Sequence, residues 1–309
     1  MTWIEEHKNT IIRGDALTVL KTWPDECIDM VFTSPPYYGL RDYEDKEQIG
    51  LEKTLDEYLI KMLAVMAECK RVLKKTGTMW WNHGDSYNGT KVGDTETRKN
   101  PKVVASSFRK GKQPMSEKSL LFQNYRLAIR MIDEQQWIAR NVIIWHKPNC
   151  MPSSVKDRFT VDYEPVFFFT KSKKYFFEQQ FEPYTEPMNR WGGDELKAQC
   201  KSEWDEGTGQ DTYRDRNMRP NSLGRNKRCV WKIPTHPYPE AHFATFPSKL
   251  IVTPILAGCP KGGIVLDPFM GSGTTAYVAR ELGRQFVGIE LNESYIKLAY
   301  NRLAQQKIL

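Results

Sequence analysis

A short proline-rich segment, Thr33-Ser34-Pro35-Pro36-Tyr37-Tyr38, holds residues that are well suited to chemistry. The serine hydroxyl can exchange hydrogen bonds with a ligand. The prolines lack N–H groups, which leaves nearby carbonyls free to accept from a ligand donor. The Tyr37 ring can stack on a flat ring. These groups suit a planar heterocycle that carries an exocyclic amine, although the same residues also fit a proline-punctuated turn beside a sheet.

A second candidate site lies near the C-terminus, in Asp267-Pro268-Phe269-Met270-Gly271-Ser272-Gly273-Thr274-Thr275. Gly271 and Gly273 allow a tight turn and a close approach of the backbone to a ligand. No lysine follows as a P-loop requires, so a triphosphate is disfavoured. Asp267 ends one strand, where it can meet a cationic group, and Glu290 ends the next, where it can accept both ribose hydroxyls. The pattern favours S-adenosylmethionine as cofactor.

The elements that must position these segments follow from hydrophobic periodicity. Ile28–Phe32 is a short apolar strand, residues 55–74 form an amphipathic helix, and Thr78–Asn82 is the next strand, so the unit is βαβ and parallel. Further strands are predicted at 11–15, 137–145, 163–170, 263–267 and 285–289, and further helices at 16–20, 119–134, 248–256, 274–282 and 294–303. Tyr175–Phe177 is predicted to return as a β-hairpin on the sheet edge.

Composition limits the functional classes. The chain has 309 residues, a net charge of +7 and a pI near 8.9, which fits a polyanionic partner. It has no apolar run of membrane-spanning length and no signal-peptide character at its start. Six scattered cysteines without a C-x-x-C pair predict reduced thiols in a cytosolic protein and no metal site.

Two irregular regions interrupt the periodic pattern. Residues 88–115 are a basic surface loop, either a solvated excursion or a loop that closes over DNA. Residues 178–235 interleave aromatic and basic side chains, which suggests a nucleic-acid recognition insert, although an ordinary long insertion is the alternative. The candidate DNA-binding residues are Arg214, Arg216, Arg219, Arg225, Lys227 and Arg228.

The quoted segments together resemble the β-class exocyclic-amine DNA methyltransferases, which modify cytosine N4 or adenine N6. The catalytic motif precedes the cofactor motif, as in that class. The resemblance implies a doubly wound, Rossmann-like, seven-stranded sheet, mostly parallel with one antiparallel strand. It implies a catalytic half at 1–177, a target-recognition insert at 178–235 and a cofactor-binding half at 236–309. The implied cofactor residues are Asp15, Phe246, Pro247, Asp267, Pro268, Phe269, Gly271, Ser272, Gly273, Thr274 and Glu290. From the residues alone, a helix N-cap is the favoured interpretation of Asp15.

The resemblance also implies a mechanism. The target base leaves the duplex, its amine donates to Ser34 Oγ and to the Pro35 carbonyl, and Tyr37 stacks on the flipped ring. Serine at the first motif position is typical of N4-cytosine enzymes, while the chemistry of a hydroxyl leaves N6-adenine open. Methylation of RNA or protein, an inactive DNA-binding module and a dinucleotide oxidoreductase are the alternatives. The implied partner is double-stranded DNA, with a homodimer and an accompanying restriction endonuclease left open.

Overall fold

Strands with both faces buried form the centre of the molecule in the computed structural model, which describes residues 3–40, 48–88, 115–183, 223–235 and 246–304. The strands of the main sheet are β1 Thr10–Arg13, β2 Ile28–Thr33, β3 Leu73–Asn82, β4 Ile138–His146, β5 Tyr163–Thr170, β8 Val230–Lys232, β9 Ile264–Asp267 and β10 Gln285–Glu290. They lie in the order β1-β10-β9-β2-β3-β5-β4-β8. Of the strands that the structure describes in this sheet, only β5 runs antiparallel to its neighbours, so the predicted mostly parallel sheet with one antiparallel strand is confirmed.

Helices cover both faces of this sheet. They are α1 Trp3–His7, α2 Ala16–Leu20, α3 Leu55–Val72, α4 Gln123–Gln135, α5 Ser248–Gly258, α6 Thr274–Glu281 and α7 Glu293–Ala304. Apolar side chains of α2, α3 and α4 belong to one core, and those of α5, α6 and α7 belong to a second. Side chains alternate between the faces of a strand, so Phe167 and Phe169 enter the first core while Phe168 enters the second. This arrangement is the predicted doubly wound fold.

Local sequence signals set the ends of the long helix α3. Thr54 accepts from the Glu57 N–H while Glu57 accepts from the Thr54 N–H, which is a capping box. The predicted end at Lys74 was wrong, because the helix stops at Val72 and Leu73 starts β3. Lys74 is held at the sheet by an ion pair with Asp29, at 2.7 Å between Nζ and Oδ1.

The predicted hairpin at the sheet edge was also wrong. Among the described residues, 175–180 form no strand, and β5 lies inside the sheet between β3 and β4. Because both sides of β5 are already paired, no edge is left for a returning strand. Tyr175 and Phe177 instead pack on Phe168, with ring centroids 5.9 Å and 5.8 Å away.

The main sheet has eight strands in the described part of the chain, rather than the seven expected. The additional short strand is β8, which pairs parallel to β4. It falls within the range predicted as the recognition insert.

The chain divides into two compact units, one of Met1–Glu178 with Cys229–Leu309 and one of Gln179–Arg228. In the smaller unit, β6 Phe181–Glu182 pairs antiparallel with β7 Arg225–Asn226. The recognition role of this region stays a prediction. Among the residues described, no helix is long and apolar enough to cross a membrane.

Candidate active site

The two candidate segments, although remote in sequence, follow neighbouring strands. β2 pairs with β9 in parallel, with Val31 opposite Leu266. Parallel strands end at the same edge of a sheet, so the residues after Phe32 and those after Leu266 meet there. Thr33 Oγ1 donates to Asp267 Oδ1 over 2.8 Å in a fully buried contact. The sheet therefore brings the proline-rich segment and the glycine loop together.

Asp267 is buried and takes hydrogen bonds from its own chain. Besides Thr33, the Phe269 N–H donates to Oδ1 at 3.0 Å and Thr275 Oγ1 donates to Oδ2 at 2.6 Å. Burial raises the pKa of Asp267 to about 6, and these donors limit the rise. A cationic ligand group at this position would therefore meet a carboxylate that already accepts three hydrogen bonds from the protein. A direct contact of Asp267 with a ligand stays a prediction.

The glycine loop turns sharply between β9 and α6. Gly271 and Gly273 have φ values of 53° and 79°, in the left-handed region that favours glycine. A Cβ on Gly273 would lie 2.7 Å from the Ala299 Cβ, whereas a Cβ on Gly271 would meet nothing closer than 4.0 Å. The close approach at Gly273 is therefore to helix α7, whereas Gly271 has open space on its Cβ side.

Glu290, at the end of β10, holds this loop in place. Its Oε2 accepts from the Gly271 N–H at 2.8 Å, and its Oε1 accepts from the Asn292 N–H at 2.9 Å. Burial raises the pKa of Glu290, and the nearby Asp267 carboxylate raises it further. Each carboxylate oxygen has two lone pairs, so the group can still accept from ligand hydroxyls.

The remaining predicted cofactor residues surround the same strand ends or flank them. Asp15 caps α2 by accepting from the Thr18 N–H at 2.9 Å, which confirms the N-cap interpretation. Phe246 packs edge-on against Phe32 with ring centroids 5.7 Å apart. Pro247, Pro268, Ser272 and Thr274 are buried, and Phe269 is half-buried. Thr274 Oγ1 accepts from Arg302 at 2.7 Å, so this hydroxyl has a partner within the chain.

The proline-rich segment is fixed by a buried pair that sequence reasoning missed. Tyr58 OH donates to the Pro36 carbonyl at 2.8 Å, so the expectation of free carbonyls was wrong for Pro36. His83 Nε2 lies 3.2 Å from the same hydroxyl. Because Tyr58 gives its one proton to a carbonyl, His83 must donate, with the proton on Nε2. Burial lowers the pKa of His83 to about 3, so the ring is neutral.

Ser34 and Tyr37 meet different partners at the ends of β3 and β5. Ser34 Oγ lies 3.5 Å from Oδ1 of buried Asn82, a long contact. Tyr37 OH donates to Glu164 Oε2 at 3.1 Å, and its ring lies 4.8 Å from that of His83. Burial raises the pKa of Tyr37 well above its ordinary value, with the Glu164 carboxylate adding to the rise. The sequence could have indicated Asn82 and His83 as site residues, because these polar residues lie at the end of a predicted buried strand.

Half of the predicted DNA-binding residues can be placed. Arg214, Arg216 and Arg219 lie outside the described residues. Arg225 and Arg228 both donate from Nε to Glu182 Oε1, at 2.8 Å and 2.6 Å. Arg225 is 28% exposed and Arg228 63% exposed, so Arg228 is the more accessible cation. No group of His, Cys, Asp and Glu suited to a metal ion occurs in the described ranges.

The chain therefore combines a doubly wound, Rossmann-like sheet with a proline-aromatic segment and a glycine loop at adjoining strand ends. The family model described as DNA methylase, for N6 and N4 enzymes, matches residues 28–301. The chain belongs to this N6/N4 DNA methylase family.

Individual relatives agree with the family assignment. The Type II methyltransferase M.XycI of Xanthomonas campestris pv. cyanopsidis is 41% identical over 299 residues, which cover 96% of this chain and 88% of the relative. The solved PvuII DNA methyltransferase (cytosine-N4-specific) has a TM-score of 0.64 at 19% identity, covering 98% of this chain and 91% of that one. TTHA0409 from Thermus thermophilus, solved with S-adenosyl-L-methionine, has a TM-score of 0.57 at 22% identity, covering 95% and 92%. These two structures share the fold.

Proposed function

We propose that this DNA methyltransferase transfers a methyl group from S-adenosylmethionine to the exocyclic N4 amine of cytosine in duplex DNA. The observation that carries the proposal is the Thr33–Asp267 hydrogen bond, which joins the Ser34-Pro35-Pro36-Tyr37 segment to the glycine loop. A group that binds an amine and a group that binds a nucleoside cofactor are thereby held side by side. That juxtaposition is what methyl transfer to an amine requires.

The residues around Gly271 and Glu290 fit S-adenosylmethionine. Gly271 leaves open space on its Cβ side, and Glu290 keeps lone pairs for ribose hydroxyls. Phe246 and Phe269 offer half-buried apolar surface nearby. When bound, the cofactor supplies an electrophilic methyl group. A neighbour of the same fold was solved with this molecule, which supports the assignment.

The chain's own residues act on the target amine. The amine lone pair is delocalised into the base ring, so the amine is a weak nucleophile. Hydrogen bonds from the amine to Ser34 Oγ and the Pro35 carbonyl localise that pair on nitrogen. The base has to leave the duplex first, and Tyr37 then stacks on the flipped ring. The anchored Pro36 carbonyl keeps the segment in position while this happens.

Cytosine N4 is preferred over adenine N6 because Ser34 stands at the first motif position, where the resembled N4 enzymes carry serine. N6-adenine methylation by the same mechanism is the second candidate. A hydroxyl can accept from either amine and donate to the neighbouring ring nitrogen, so the chemistry of Ser34 fits both bases.

DNA recognition is proposed for residues 178–235, with a homodimer and an accompanying restriction endonuclease as further proposals. Arg228 is the most exposed of the placed candidate arginines. Arginine at such a position holds phosphates or reads base edges.

The experiment is incubation of the protein with labelled S-adenosylmethionine and unmethylated DNA of mixed sequence, followed by nucleoside mass spectrometry. We expect N4-methylcytosine. Detection of N6-methyladenine alone would show that adenine, not cytosine, is the target base, and the proposed mechanism would still apply. Label found only in RNA or protein would overturn the proposed function. Ser34→Ala is expected to abolish or strongly reduce turnover while cofactor binding stays nearly intact. Ser172→Ala is the matched control, because Ser172 follows the antiparallel strand β5 and so lies at the opposite sheet edge.

A further inference from the structure

The catalytic-segment tyrosine is tied to an ion pair that the proposed mechanism leaves without a role. Tyr37 OH donates to Glu164 Oε2 at 3.1 Å. The other oxygen of this carboxylate, Oε1, forms an ion pair with Lys147 Nζ. Both charged side chains are largely buried, with Lys147 18% and Glu164 21% exposed. Taking two charges out of water is costly, and the attraction between them often does not offset this cost. A contribution to stability therefore does not by itself explain the pair.

The ion pair is itself anchored to the main sheet. Lys147 Nζ lies 4.4 Å from the ring centroid of Trp145, at the distance of a cation–π contact. Trp145 Nε1 donates to the Ile233 carbonyl at 2.8 Å, beside β8. A continuous series of contacts therefore leads from the sheet through Trp145, Lys147 and Glu164 to the hydroxyl of Tyr37.

The backbone of Gly84 closes the space beside the Tyr37 ring and the Glu164 side chain. A Cβ on Gly84 would lie 2.9 Å from Tyr37 Cε2 and 3.4 Å from Glu164 Cδ, so only glycine fits between them. With the ring confined there and the hydroxyl bonded at its far end, rotation of the side chain is restricted. The acceptor is restricted too, because Lys147 holds the carboxylate.

We propose that Glu164 and Lys147 are positioning residues that fix the ring plane of Tyr37 for stacking on the flipped base. The inference rests on the proposed function and deepens it. The plane of the Tyr37 ring sets where the stacked base lies, and so it sets how close the target amine comes to the methyl group. A ring that tilts freely would let the amine drift from Ser34, which weakens the advantage of positioning.

The main test is a charge-neutral double variant, Lys147→Met with Glu164→Gln. Changing one residue alone would leave the other charge buried and unpaired, which can unfold the protein. The matched control is the exposed pair on α7, Lys297→Met with Glu293→Gln, whose charged atoms are 2.9 Å apart. Thermal unfolding of each variant shows that it is folded before its kinetics are compared.

The kinetic readout is a cycle with Tyr37→Phe, which removes only the hydroxyl. We expect Tyr37→Phe and the double variant each to lower kcat about tenfold, with unchanged affinity for S-adenosylmethionine. The triple variant should be no slower than Tyr37→Phe, because the pair acts through the hydroxyl. If the reduction in kcat of the triple variant equalled the product of the reductions in Tyr37→Phe and in the double variant, the proposal would be overturned. A double variant whose kcat equals that of the control would also overturn it.

A second readout does not depend on turnover. Carbon-13 labelling of tyrosine Cζ gives one signal per ring, and Tyr37→Phe identifies the Tyr37 signal by its loss. In the double variant the Tyr37 hydroxyl loses its carboxylate acceptor, so the chemical shift of this signal at neutral pH should change, and an unchanged shift would overturn the positioning role. If the unaltered protein methylates no DNA, the proposed function fails, and the chemical shift still decides whether the ion pair holds Tyr37.

Discussion

The Thr33 hydroxyl donates to the Asp267 carboxylate over 2.8 Å, across 234 residues of sequence. Thr33 immediately precedes Ser34, and Asp267 opens the segment that continues into the glycine loop. Both side chains are essentially inaccessible to solvent. A displacement of either segment therefore disturbs the other, and the proposed amine-binding and cofactor-binding halves of the site share a buried hydrogen bond.

Removing this bond should weaken both halves at once. In Thr33→Val the Asp267 carboxylate loses one of its three donors, which we expect to lower the free energy of unfolding by about 1–3 kcal/mol. Affinity for S-adenosylmethionine and kcat should fall together, measured by calorimetry and by methyl transfer. Thr33→Ser keeps the hydroxyl and should stay near the unaltered protein. Normal stability and normal cofactor affinity in Thr33→Val would show that the bond does not link the two halves.

The raised pKa of Asp267 predicts a pH dependence of stability. Its pKa rises from 3.8 to about 6 on folding, so between these values the folded protein holds a proton that the unfolded chain releases. Stability contributed by this group is therefore present at low pH and is lost as pH rises through this range, amounting to roughly 3 kcal/mol. Above pH 6 the contribution no longer changes.

The measurement is the free energy of unfolding of the unaltered protein and of Asp267→Asn, taken at a series of pH values. The unaltered protein should gain relative to the variant as pH falls from about 6 to about 4. Groups that titrate alike in both proteins cancel in the difference. A difference that is flat across this range would contradict the prediction.

Hydrophobic patterns in the sequence predicted the strands well where both faces of the strand are buried. β5 has the predicted bounds Tyr163–Thr170, since its run of phenylalanines is buried throughout and polar residues follow it. The turn from β9 through the glycines into α6 was predicted from the Asp267-to-Thr275 segment for a similar reason, because glycine at positive φ marks a tight turn.

Contacts that depend on strand order could not be predicted in this way. Glu164 reaches Tyr37 across 127 residues because antiparallel β5 begins at the edge where β2 and β3 end. Nothing in the local pattern of either strand states that they share this edge. Tyr58 was missed because its position on an amphipathic helix resembles that of an ordinary core residue.

Removing the hydroxyl of Tyr58 should lower kcat while helix α3, which carries this residue, still forms. Tyr58→Phe leaves the Pro36 carbonyl and His83 Nε2 without their shared partner, which we expect to lower the free energy of unfolding by about 1–3 kcal/mol. The Ser34 segment should become less ordered and kcat should fall, with cofactor affinity maintained. The control is Tyr125→Phe, since the Tyr125 ring packs edge-on against Phe167. Equal kcat in the two variants would refute the anchoring role of Tyr58.

The two glycines of the loop should respond differently to the same substitution. Both have positive φ, so alanine at either position costs about 1–2 kcal/mol of backbone strain. At Gly273 the new Cβ would also lie 2.7 Å from the Ala299 Cβ, so Gly273→Ala should destabilise the protein further and displace α7. At Gly271 the new methyl enters open space, so Gly271→Ala should chiefly reduce affinity for S-adenosylmethionine.

Denaturant unfolding and calorimetric titration with the cofactor separate these effects. The strain is common to both variants, so the difference in their stabilities reports the contact with Ala299. Adding Ala299→Gly to Gly273→Ala removes the clashing methyl and should recover part of the lost stability, although glycine within a helix itself costs about 1 kcal/mol. If Gly271→Ala bound the cofactor normally while Gly273→Ala were fully stable, the assignment of the ligand space to Gly271 and of the helix contact to Gly273 would be wrong.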